Sequence, residues 1–152
     1  AEVLYDSFHQ VVGVDPKIGA PPTGMGATQT ADATMAPYFL KVFGQPQGDT
    51  ACECERSQEA NLAQSLHLLN SKEIQDKIAA GAGRAAQLAK DTETATDQKI
   101  RSLYLWVYSR QPTDDEIAIA AAHVDKHKDN PQPAWEDLVW ALINTKEFLF
   151  NH

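Results

Sequence analysis

Apolar residues recur along this chain at helical spacing. Val3, Leu4, Phe8, Val11 and Val12 open it with an amphipathic pattern. That pattern predicts a helix ending near Gly13, where a left-handed cap is available and Asp15-Pro16 disfavours continuation. Leu62, Leu66 and Leu69 predict another helix, with Asn61 and Gln64 as a variant capping box and Asn70 near the stop. Ser71 can cap a short helix carrying Ile74 and Ile78, and Gly81 and Gly83 then punctuate the chain before a helical stretch from Arg84 to Ala89. After the polar run Asp91 to Asp97, Ile100, Leu103, Tyr104, Val107 and Tyr108 mark one face of a helix that halts before Pro112, with Trp106 off that face. Thr113 followed by Asp114, Asp115 and Glu116 combines a cap, acids suited to the helix dipole and a side chain able to return a hydrogen bond. The stripe Ile117, Ala120, Ala121 and Val124 runs on towards the Asn130-Pro131 break. A last helix carries Trp135, Leu138, Val139, Leu142 and Ile143, then ends in Phe148, Leu149, Phe150, Asn151 and His152.

Between these patterns, Gly19 to Pro37 is rich in Gly, Pro, Thr and Ala without periodicity and reads as a surface loop or arm. Tyr38, Phe39, Leu40, Val42 and Phe43 form a compact apolar group that fits either a short helix or a strand. Nowhere does the alternation of several half-buried strands appear. The expected fold is therefore mostly α: an irregular multi-helix bundle with a long Gly/Pro/Thr-rich loop in its N-terminal third and the last three helices at its heart. Residues 1–152 are read as a single domain, loop-rich over 13–57 and helical over 58–152.

Composition narrows the function classes. Hydrophobic residues at 43% and charged residues at 22% are close to ordinary globular usage and argue against wholesale disorder. A formal net charge of −8 repels a phosphate backbone, so nucleic acid is not an expected partner. The longest apolar stretches, Ile117 to Ala122 and Leu138 to Ile143, fall far short of the roughly 20 residues a membrane-spanning helix needs. No basic-then-apolar signal segment opens the chain, which fits a mature chain or an excised fragment.

Chemistry concentrates in Cys52 and Cys54, two soft ligands one residue apart, beside Glu53, Glu55 and Arg56. A structural zinc site gathers four ligands at wider pair spacing, so His67 and His152 would have to complete it through tertiary contact. A buried structural cysteine pair is the alternative, and no metal is assigned. His123 and His127, four apart and near Asp125, fit either a shared ion or a solvated helix edge. Gly24-Met25-Gly26 lacks the third glycine and preceding strand of a dinucleotide site. Asp91, Glu93 and Asp97 lack the glycine of a calcium loop, and Asp114 to Glu116 are accounted for by helix initiation. Trp135, Trp140 and Tyr104 suit a binding surface or a core. No catalytic residue is assigned.

Taken in order, the segments YFLKVFGQP, CECERS, LAQSLHLLNS, KIAAGAGR, LYLWVYSRQPTDDE and EDLVWALINTKEFLFNH resemble the C-terminal part of the planctomycete secreted domain family, whose function is unknown. By that resemblance Cys52, Cys54, Glu55 and Arg56 match the family's cysteine motif, and Asn151 and His152 its ending. Gln45 and Gly48 stand where the family often carries basic residues. The resemblance implies the terminal module of a large exported bacterial protein, periplasmic or extracellular, with a cytochrome-c-like region elsewhere in the parent and no cofactor in this module. The leading expectation is a noncatalytic helical interaction or structural module whose partner is the rest of the parent or another exported protein. A thiol or metal site at the Cys-x-Cys segment, linked to electron transfer, is the alternative. Polysaccharide binding or processing is a further one.

Overall fold

The structure, a computed structural model, describes residues 2–14 and 72–150. Seven helices and no strands occur among them: α1 (Glu2–Val12), α2 (Lys72–Ile78), α3 (Arg84–Lys90), α4 (Thr96–Tyr108), α5 (Asp114–Asp125), α6 (Pro131–Ile143) and α7 (Lys146–Phe150). The expected mostly helical fold is thus the observed one. The Gly/Pro/Thr-rich run, the Tyr38 to Phe43 group, the Leu62 to Leu69 helix and its Ser71 neighbour lie outside the described residues.

The sequence stripes become the core. Ile100, Leu103, Tyr104 and Val107 of α4, Ile117, Ala120 and Val124 of α5, and Trp135, Val139, Leu142 and Ile143 of α6 are all buried. They join one cluster with Ile74 and Ile78 of α2, Ala85 and Leu88 of α3, and Phe148 of α7. In α1 the buried face is Leu4, Tyr5, Phe8, Val11 and Val12, while Val3 is 51% exposed. The 100° step per residue explains this correction, because positions i, i+1, i+4, i+7 and i+8 share a side from which i−1 is turned away. Helix α6 packs against each of the other six described helices and has its most extensive contact with α3. The heart of the bundle therefore includes α1 and α3 as well as the three helices the periodicity singled out.

Basic side chains tie the helix ends together. The Arg84 guanidinium donates from Nε to the Val11 carbonyl at 2.8 Å and from Nη2 to the Gln10 carbonyl at 2.9 Å. It thereby supplies donors to the last turn of α1, where orphan carbonyls and the negative end of the dipole favour a cation. The same guanidinium lies 3.7 Å from the centre of the Trp106 ring, so the exposed tryptophan left off the α4 stripe serves as its stacking surface. Lys99 is buried and donates to the carbonyls of Leu88, at 2.9 Å, and Asp91 at the end of α3. His9 is buried, and the Tyr5 carbonyl 2.9 Å from its Nδ1 requires that nitrogen to carry the proton. Its Nε2 then accepts from Lys77 Nζ at 2.7 Å, joining α1 to α2.

Candidate functional site

The Ser-Arg-x-Pro-Thr turn between α4 and α5 builds the densest polar cluster among the described residues. Thr113 accepts from the Glu116 amide at 3.3 Å, and the Glu116 carboxylate accepts from the Thr113 amide at 2.7 Å, completing the capping box read from the sequence. Glu116 turns its carboxylate to Arg110, which grips it through Nη1 at 2.9 Å and Nη2 at 2.8 Å. The other side of Arg110 grips Glu147 of α7 through Nε at 2.6 Å and Nη2 at 2.9 Å. A further bond from Nη1 to the Gln111 carbonyl at 3.0 Å engages the fifth donor, so the fork is fully used. Hydrogen bonds from Arg110 and from the Thr113 amide pull the Glu116 carboxyl down to about 2, and Arg110 lowers Glu147 as well. Beside this cluster, Tyr108 donates to the Leu142 carbonyl at 3.0 Å and meets Thr145 Oγ1 at 2.9 Å, and burial pushes its phenol up to about 12. With all five Arg110 donors and both carboxylates engaged, this cluster fastens α4, α5 and α7.

The other sequence candidates divide in two. Cys52, Glu53, Cys54, Glu55, Arg56, His67 and His152 lie outside the described residues, as does Gly24-Met25-Gly26. Of the rest, His127 lies beyond the end of α5, and its Nδ1 donates to the His123 carbonyl at 3.0 Å, with the two rings 5.0 Å apart. His123 Nε2 is 3.3 Å from Asp137 Oδ2, within ion-pair reach but without hydrogen-bond geometry. Among the described residues no group of three or more His, Cys, Asp or Glu side chains is placed to hold a metal ion. Asp91 Oδ1 accepts from the Glu93 and Thr94 amides, both at 3.0 Å, so it shapes the turn before α4; the bonds to Thr94 lead in lowering its pKa.

Trp135 and Tyr104 are core residues, while Trp140 is only half-buried. It forms one wall of an open groove of about 470 Å³ between α2 and α6, lined by Gln75, Asp76, Ile78, Ala79, Glu136, Asp137 and Trp140. The helical period creates this groove. Ile74 and Ile78 turn α2 onto the core and leave Gln75 and Asp76 outward, while Trp135 and Val139 anchor α6 and leave Glu136, Asp137 and Trp140 on the facing side. Three carboxylates, and no basic side chain among the described residues, line it. Glu136 accepts from Gln132 at 2.8 Å on its own helix, whereas the Asp76 carboxylate and the Trp140 indole N–H have no hydrogen-bond partner among the described residues. Sequence reading missed the groove because its two walls lie some sixty positions apart and each looks like an ordinary solvated helix edge. Trp140, an aromatic beside the buried Val139, was the one available signal.

No curated protein and no solved structure matches the chain. One family model does, over residues 26–124, and it is described as PSD1, a protein of unknown function (DUF1553). The matched stretch holds the KIAAGAGR and SRQPT segments and the α2 wall of the groove, while α6 and α7 follow it. With more than half of its 152 residues matched, the chain belongs to the PSD1 family of unknown function.

Proposed function

We propose that this chain is a noncatalytic interaction or structural module of a larger exported bacterial protein. One observation carries the reading: the charged side chains that stand out in its sequence segments join helices to one another. Arg84 holds the end of α1, and Arg110 with Glu116 and Glu147 locks three helices together. Enzymatic sites leave titratable groups poised towards a cleft. Here the engaged groups are held against other elements, and the groove between α2 and α6 offers a recognition surface. No helix among the described residues is long and apolar enough to cross a membrane. On this reading its partners are other regions of the parent or other exported proteins.

The test is sedimentation velocity of the 152-residue chain mixed with separately produced regions of its parent polypeptide. A saturable complex with one of those regions is the expected result. A chain that sediments alone in every mixture overturns the module reading.

A further inference from the structure

Resting on that module reading, we infer that the groove between α2 and α6 is a docking site for an arginine or lysine side chain presented by a protein partner. The occupant follows from charge and shape. Asp76, Glu136 and Asp137 surround the opening, and the whole chain carries a formal net charge of −8, so the local field favours a cation. Trp140 adds an indole face, and an aromatic face attracts a cation while stacking on a planar guanidinium. Ile78 and Ala79 supply apolar surface for the methylene stem of a long basic side chain, whose charged head then reaches the carboxylates. A volume of about 470 Å³ takes one such side chain with part of the backbone that carries it.

Among the described residues no basic side chain lines the groove. Arg84, Lys99 and Arg110 hold helix ends and the turn cluster, and Lys77 meets His9. Two groups at the groove without a partner among the described residues match the proposed ligand. The Asp76 carboxylate accepts from a guanidinium or ammonium, and the Trp140 indole N–H donates to a backbone carbonyl of the incoming segment. The Asp137 carboxylate lies 3.3 Å from His123 Nε2, at the α5 end of the site.

The experiment is a ¹⁵N-¹H NMR titration of the full chain with an acetylated, amidated Gly-Arg-Gly-Arg-Gly peptide, with the lysine peptide and a neutral oligosaccharide titrated in parallel. Saturable shifts confined to Gln75, Asp76, Glu136, Asp137 and the Trp140 indole resonance are expected with the arginine or lysine peptide. Asp76→Asn combined with Asp137→Asn should weaken binding at least about tenfold, the loss of roughly 1.4 kcal/mol. Trp140→Phe, which keeps apolar volume, should weaken it by a smaller factor, and unchanged resonances elsewhere establish that each variant is folded. Shifts scattered over the acidic surface, or groove shifts produced by the oligosaccharide and not by the peptides, overturn the proposal. If the double variant still forms the parent complex at full affinity, the module reading stands and this groove is not its docking site.

Discussion

Two glycines in one short segment show how a residue's role depends on what lies opposite it. In KIAAGAGR, an added Cβ at Gly81 would meet open space, whereas at Gly83 it would sit 3.0 Å from the Ala80 carbonyl oxygen and 3.3 Å from that of Val12. Both neighbours are backbone and cannot swing aside. Gly83→Ala should therefore cost about 1–2 kcal/mol, while Gly81→Ala should be neutral within about 0.5 kcal/mol, read as urea midpoints of the two variants. Equal midpoints would show that α1 and α3 have room to separate. Ser109 is the reverse case, a non-glycine residue at φ 56 that ends α4 while its amide bonds the Leu105 carbonyl at 3.0 Å. Ser109→Gly keeps that bond and removes the left-handed penalty, so it should raise stability by about 0.5 kcal/mol. A lower melting temperature for this variant would refute the assignment of strain. Neither distinction is visible in the sequence, where the two glycines look alike and Pro112, not Ser109, reads as the helix stop.

At the scale of elements, capping and charge explain why the short helices hold their places. Helix α7 has only five residues, too few to persist alone, and two attachments fix it: Phe148 in the core and Glu147 on Arg110. Arg110 reaches Glu116 on its other side, so one guanidinium binds the starts of α5 and α7. The bonds to Glu116 hold its pKa near 2, below the ordinary value of 4.5. Because the folded-state value is depressed, the stabilisation is complete above the ordinary pKa and is lost as pH falls from there through the folded value. The side chains are about a third exposed, and solvent screening reduces the contribution to about 1 kcal/mol. Between pH 6 and pH 2.5, then, the wild-type chain should lose about 1 kcal/mol more than Glu116→Gln, measured by urea unfolding at both values. Identical acid sensitivity in the two proteins would mean that Arg110 adds geometry without net stability. The sequence disclosed Thr113 and Glu116 as a cap, since a cap is local. It could not disclose the partnership with Glu147, because that contact is made only when α7 folds back on the end of α4.

For the whole molecule, legibility followed the same division. Periodicity located α1, α4, α5 and α6 and most of their buried faces, because burying one side of a helix imposes its own period on the sequence. Which helix occupies the centre is a property of the packing. Helix α6 touches every other described helix, and its Trp135 is 1% exposed, yet it follows the stretch matched to the PSD1 family, which ends at residue 124. The groove was illegible for the same reason: its acidic residues gain meaning only once α2 lies across α6. The placement of α6 makes a prediction about folding. A chain shortened to residues 1–125 keeps the whole matched stretch but loses Ala134, Trp135, Val139, Leu142, Ile143 and Phe148 from the core cluster. Truncating a single buried aromatic side chain costs about 3–5 kcal/mol, and typical domains are stable by only about 5–15 kcal/mol, so losing all six should abolish cooperative folding. The shortened chain should keep some helical circular dichroism and show a broad, featureless thermal transition with poorly dispersed amide resonances. A sharp transition with well-dispersed resonances would mean that the remaining helices close a core of their own, and that α6 docks onto a finished structure instead of organising it.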